Sequence, residues 1–114
     1  MKVSIIIPVF NVSEYIERCI KSVMNQTYSD IECLIVDDAT LDDSIEKCER
    51  LIVEYKGPIK FSILHHQKNR GLSAARNTGT ARQIGNPIRI MKWVHALRWK
   101  IAELPDNFST WNSK

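Results

Sequence analysis

An α/β fold with a parallel sheet is predicted for this chain, and three observations carry that prediction. Short apolar runs rich in β-branched residues recur at 3–9, 31–36 and 60–65. Between them lie segments whose apolar residues repeat with the period of an amphipathic helix. Each such segment is long enough for a crossover, so the strands it joins run parallel and the connections are right-handed. The order is β-α-β-α-β-α, a Rossmann-like arrangement, with the three strands expected side by side in the order 3-2-1.

The first run holds Val3, Ile5, Ile6, Ile7 and Val9, and Pro8 near its end removes a ladder donor, as suits a buried strand that finishes there. Ser13 is placed to cap a helix over 14–26. Ile16, Cys19, Ile20, Val23 and Met24 fall on one stripe of it, with Glu14, Glu17, Arg18 and Lys21 on the other face. The second run closes on Asp37 and Asp38. A helix over 43–55 follows, its stripe made by Ile45, Cys48, Ile52 and Tyr55, and Gly57-Pro58 stops it. The third run leads into Gly71-Leu72-Ser73-Ala74-Ala75-Arg76-Asn77, where Ser73 or a neighbour opens a further short helix. From about Ile84 the pattern changes. Ile90, Val94, Leu97 and Ile101 set a helical stripe over 88–101, interleaved with Trp93, Trp99 and basic residues, and Pro105 ends it.

With 114 residues there is room for one domain. A composition of 44% hydrophobic and 25% charged residues, with 4 Gly and 4 Pro, excludes collagenous, low-complexity and wholly disordered classes. No apolar stretch is long enough for a signal-peptide core or a membrane span, so the expected location is the cytoplasm or the inner face of the membrane. Cys19, Cys33 and Cys48 are an odd set without Cys-x-x-Cys spacing, which points to buried free thiols rather than disulfides or zinc. The charge is asymmetric: residues 1–57 carry 6 Lys/Arg against 11 Asp/Glu, residues 58–114 carry 10 against 2. Such a basic half suits an anionic ligand, and equally a solvated basic face.

The first strand is followed by Pro8-Val9-Phe10-Asn11, not by Gly-x-Gly-x-x-Gly, and no Gly-x-x-x-x-Gly-Lys-Ser/Thr loop occurs. A dinucleotide enzyme and a P-loop nucleotidase are thereby disfavoured. In doubly wound sheets ligands bind beyond the carboxyl ends of the strands, which directs attention to 8–11, 37–40 and 65–77. A carboxylate there can accept hydrogen bonds from a ribose hydroxyl or a base N–H; alternatively Asp37 and Asp38 serve local turns. A phosphoacceptor receiver domain fits less well, because its acidic pair follows the first strand, where this chain has Pro8. His65 and His66 are adjacent on a strand and point to opposite faces, which does not suit a shared ion.

Four segments carry a resemblance: Val3-Ser4-Ile5-Ile6-Ile7-Pro8-Val9-Phe10-Asn11, Ser22-Val23-Met24-Asn25-Gln26-Thr27-Tyr28-Ser29-Asp30-Ile31-Glu32, Val36-Asp37-Asp38-Ala39-Thr40, and Asn69-Arg70-Gly71-Leu72-Ser73-Ala74-Ala75-Arg76-Asn77-Thr78-Gly79. In this order and spacing the sequence resembles the inverting glycosyltransferases of family 2, with the GT-A fold. The resemblance covers 2–82, the nucleotide-binding front half of that domain. It implies a nucleotide-diphospho-sugar donor such as a UDP-sugar. Pro8, Val9, Phe10 and Asn11 would lie beside the base, with Phe10 able to stack on it. Asp37 and Asp38 would face the nucleoside, Asp38 reading the base edge. Gly71, Arg76 and Asn77 would close over the nucleotide, Arg76 near the diphosphate.

The family also implies Mg or Mn held by an Asp-x-Asp after a fourth strand, and a later acidic base. Neither is visible: no aspartate stands between Asp43 and Asp106, and after Glu54 the only glutamate is Glu103. No catalytic or metal residue is therefore assigned. The organisation expected is a nucleotide-sugar-binding half at 1–82 and a divergent or truncated basic helical tail at 83–114. Transfer to an acceptor hydroxyl, on a saccharide or lipid-linked glycan, is the expected reaction of the family, incomplete in this chain. No nucleic acid partner is expected; peripheral membrane contact and self-association are compatible with the composition. The alternative is a non-catalytic interaction module in which 88–101 meets an acidic partner or membrane surface. Against it stands the simpler idea that Trp93, Trp99 and the apolar stripe cover the open edge of the sheet.

Overall fold

The computed structural model describes residues 2–27 and 29–82, and the backbone of 86–89. Seven elements alternate along the chain: β1 (Val3–Val9), α1 (Ile16–Met24), β2 (Ile31–Asp37), α2 (Ser44–Glu54), β3 (Lys60–His65), α3 (Leu72–Arg82) and β4 (Asn86–Arg89). The strands form one parallel sheet in the order β3-β2-β1-β4, so the expected 3-2-1 arrangement is present. Val3 is in register with Ile31, and Val9 with Asp37; Asp37 in turn is opposite His65. The ends of β1, β2 and β3 thus lie side by side at one rim.

Alternation along β1 and β2 divides the core into two layers. Val3, Ile5, Ile7 and Val9, with Ile31, Cys33 and Ile35, face α1 and α2 and meet Ile16, Cys19, Ile20, Val23, Ile45 and Cys48. Ile6, Leu34 and Val36 face the other way and meet Ala75 of α3. Two helices therefore cover one face and α3 the other, and α3 carries the chain back across β2 and β1 to bring β4 beside β1. That reversal of strand order, between β1 and β4, is where a doubly wound sheet opens a ligand crevice.

Three local expectations are corrected. Ser13 does not cap α1, which begins at Ile16 after Tyr15 without a side-chain cap; its groups are engaged by Asp42, Asp43 and Lys47 instead. The helix after Gly71 is not short but runs eleven residues. Ile88 and Arg89 belong to β4, not to a helix, because the free edge of β1 supplies a pairing partner that outweighs the helical periodicity downstream. Pro87 is tolerated in this strand because it sits at the sheet's edge. Trp93, Trp99 and the remainder of 90–101, expected to cover an open edge of the sheet, lie outside the described residues, as does Tyr28. Among the described residues no helix is long and apolar enough to cross a membrane.

Candidate nucleotide site at the strand ends

The loops after β1 and β2 are stitched together. Asn11 N–H donates to Thr40 Oγ1 at 2.8 Å, Leu41 N–H to Asn11 Oδ1 at 3.3 Å, and Ser13 N–H to Asp42 Oδ2 at 3.1 Å. Val12 N–H reaches Ser44 Oγ, and Lys47 Nζ donates to Ser13 O at 2.9 Å. Asn11 and Ala39 have positive φ, 52° and 57°. Asparagine tolerates that region; alanine pays for it sterically.

Of the residues expected beside a base, Pro8 and Val9 are buried within β1, Val9 in the layer under α1 and α2. Their side chains are buried, so what these two positions offer at the rim is backbone at the end of β1. Phe10, at 40% exposure, is the residue of this segment that presents an apolar ring to solvent, and Asn11 is exposed beside it.

The two aspartates differ. Asp38 is 2% exposed and each of its oxygens receives two donors. His66 Nδ1 and Arg70 N–H both lie 2.8 Å from Oδ1. Asn69 Nδ2 and Gly71 N–H lie 3.0 and 2.9 Å from Oδ2. A carboxylate offers about four lone-pair sites, so Asp38 is saturated from within the chain. Burial pushes its pKa up, but the bonds from His66, Arg70 and Gly71 and the charge of His66 outweigh this and hold it below the ordinary carboxylate value. A base N–H could reach Asp38 only by displacing one of these donors. Asp37 is less occupied: Oδ1 accepts from Thr40 N–H and Oδ2 faces His65 Nδ1, both at 2.9 Å, which leaves acceptor capacity on each oxygen.

Gly71 has φ of 94° and its carbonyl accepts from Ala75 N–H, so it both turns the chain and starts α3. Arg76 lies one turn into α3, half-buried, with Nη2 3.4 Å from Ser73 Oγ; Asn77 is exposed. The structure thus gathers Phe10, Asn11, Asp37 and Gly71 at the strand-end rim and sets Arg76 and Asn77 along α3. His66, Asn69 and Thr78 were not singled out as site residues. Asn69 stood inside a motif already noted, whereas His66 carried no signal beyond its place at a strand end.

Among the described residues no group of three or more His, Cys, Asp or Glu side chains is placed to hold a metal ion. The carboxylate lone pairs of Asp38 and Asp42 are taken up by N–H and O–H donors, which leaves Asp37 as the one of the three with spare capacity, whereas a divalent cation needs several oxygen ligands together. The described residues therefore do not fit the divalent metal that the resemblance implies.

The family model for glycosyl transferase family 2 matches residues 4–91. The chain belongs to glycosyl transferase family 2. Glycosyltransferase GlyA of Streptococcus pneumoniae is 40% identical over 91 residues, 75% of this chain and 12% of that protein. In fold the chain is similar to a mannosyltransferase of Pyrobaculum calidifontis, solved with GDP-Man and Mn2+, at a TM-score of 0.70 and 23% identity, covering 75% of this chain and 25% of the other. It is similar also to Staphylococcus aureus TarS 1–349 in complex with UDP-GlcNAc, at a TM-score of 0.67 and 22% identity, over 78% of this chain and 26% of that one. This family 2 chain therefore spans a small fraction of the length of its relatives, with the GT-A type of sheet.

Proposed function

We propose that this chain supplies the donor-binding part of a family 2 glycosyltransferase, which transfers a sugar from a nucleoside diphosphate sugar to an acceptor hydroxyl. The observation that carries the reading is the convergence of Phe10, Asn11, Asp37 and the Gly71 turn at the strand-end rim, beside the reversal between β1 and β4. In this assignment the base stacks against Phe10 and its N–H is read by Asp37, which has spare acceptor capacity. Arg76 and Asn77 face the diphosphate, a guanidinium being suited to forked contacts with phosphate oxygens. Asp38 moves from base reader to loop holder. The metal and the acceptor-activating base are assigned to no described residue. The acceptor is a saccharide or lipid-linked glycan, and the reaction is assigned to the cytoplasm or the inner face of the membrane.

Titration of the 15N-labelled chain with uridine diphosphate and guanosine diphosphate tests this. Binding is expected in the high-micromolar to millimolar range, about 4–6 kcal/mol. Shifts should be confined to 8–11, 37–40 and 71–77, and Asp37→Asn should weaken them. Absence of shifts at millimolar concentrations of both nucleotides would overturn the reading, as would shifts appearing only on the outer faces of α1 and α2.

A further inference from the structure

The buried contact between Asp38 and His66 does not end at the histidine. The His66 side chain is 5% exposed, and its second ring nitrogen, Nε2, lies 2.7 Å from Thr78 Oγ1. Thr78 Oγ1 in turn is 3.0 Å from the carbonyl of Ala74, one turn back along α3. An unbroken polar chain therefore links the end of β2, the loop after β3 and the middle of α3.

Two observations give that chain a task. The apolar anchorage of α3 is thin: within it Ala75 and Gly79 are the buried residues, and Leu72 is 44% exposed. An alanine and a glycine bury little apolar side-chain area, so the hydrophobic contribution to holding the helix's rotation is small. The Gly71 turn that launches α3 is likewise not wedged by neighbours, since a side chain built there would meet nothing within 4 Å. What holds the turn is polar: Arg70 N–H and Gly71 N–H on Asp38. His66 sits at the junction, on the same Asp38 oxygen as Arg70 N–H and on the hydroxyl of the helix.

We propose that His66 and Thr78 are positioning residues for donor binding. Through Asp38 they set the Gly71 turn, and through Thr78 they set α3, so that Arg76 and Asn77 stand at a fixed height over the diphosphate. This rests on the donor-binding reading above and assigns to these two residues no contact with the nucleotide. The benefit is preorganisation: a segment already ordered loses less freedom when the ligand arrives.

The test compares the 15N-labelled chain with Thr78→Val, which keeps the shape and removes the hydroxyl, and Thr78→Ser, which keeps the hydroxyl. In Thr78→Val, amide exchange at Arg70 and Gly71 should accelerate at least about tenfold while β1 and β2 amides stay protected. Uridine diphosphate binding should weaken at least about fivefold, by loss of preorganisation. The His66 Nε2 resonance should shift, and Thr78→Ser should restore all three. If Thr78→Val does not fold, His66→Gln, which keeps a donor for Asp38, is read by amide exchange at Arg70 and Gly71 and by nucleotide binding. Unchanged exchange at Arg70 and Gly71 overturns the inference. So does accelerated exchange with undiminished nucleotide binding. If the unaltered chain binds neither uridine nor guanosine diphosphate, the donor-binding reading fails and the positioning role for binding falls with it, while the exchange measurement separately decides whether the polar chain holds the turn.

Discussion

Gly79 lies flat against Ile6: a Cβ built on Gly79 would stand 2.4 Å from Ile6 Cγ2, closer than side-chain carbons approach. Ile6 is fully buried in β1 and cannot retreat, since Leu34, Val36 and Ala75 share its layer. Gly79→Ala is expected to destabilise the chain by about 1–3 kcal/mol, the usual cost of overpacking. Ile6→Ala, which removes the Cγ2 and Cγ1 that the new methyl would meet, should give a non-additive pair in urea denaturation, the double variant losing less than the sum of the two single changes.

Ala39 occupies a left-handed conformation, φ 57°, at the turn that follows the Asp37-Asp38 pair. Alanine there bears a steric cost of about 1–2 kcal/mol, part of which glycine returns as extra freedom in the unfolded chain. Ala39→Gly is therefore expected to stabilise by about 0.5–1 kcal/mol, measured as a higher denaturation midpoint. Asn11→Gly should do the opposite, because Asn11 Oδ1 accepts the Leu41 N–H that ties the two loops.

Acid should loosen the same loops. Burial raises the pKa of Asp42, but donors from Ser44, Thr40 and Ser13 prevail and bring it to about 2 from an ordinary 3.8. Asp38 is lowered as well. A carboxyl whose pKa is depressed by folding stabilises fully above its unfolded value and loses that contribution as pH falls through the folded one. Stability should thus be flat with respect to Asp42 above about pH 4 and decline toward about pH 2. Urea midpoints across that window should fall less steeply for Asp42→Asn, which starts lower at pH 6.

The thiols should be silent in the folded chain. Cys19, Cys33 and Cys48 are free and buried. Burial, with the neighbouring thiol Cys19 among the causes for Cys33, pushes Cys33 far up; Cys48 is raised by burial and by nearby acidic groups to about 12. Thiolate is the reactive form, so Ellman's reagent at pH 8 should find no reactive group in the native chain and all three after denaturation in urea. Reaction of any thiol in the native chain at the denatured rate would contradict the packing of α1 and α2 on β2.

Much of this fold is legible locally because the residues that make it are neighbours in sequence. The β-branched runs of β1 and β2 and the stripe Ile16, Cys19, Ile20 and Val23 emerge with the burial their periods predict. β4 is different: four residues that include Asn86 and Pro87 have little strand preference of their own and pair because β1 offers an unfilled edge. The same holds at the site. Asp38 was legible as a residue at a strand end, but its environment is set by donors 28 to 33 positions away. Whether such a carboxylate faces ligand or loop depends on how the next crossover returns, which periodicity does not encode.

β3 stands at the outer border of the sheet, with β2 on one side and, among the described residues, no strand on the other. Its outward backbone groups form a ready template for another extended segment, the hazard from which amyloid and edge-to-edge aggregates grow. Lys60 and His65 close its two ends with exposed polar groups, and Ser62 is exposed between them. Along this border the Lys60 ammonium group makes templated growth carry a like-charge penalty with every copy added.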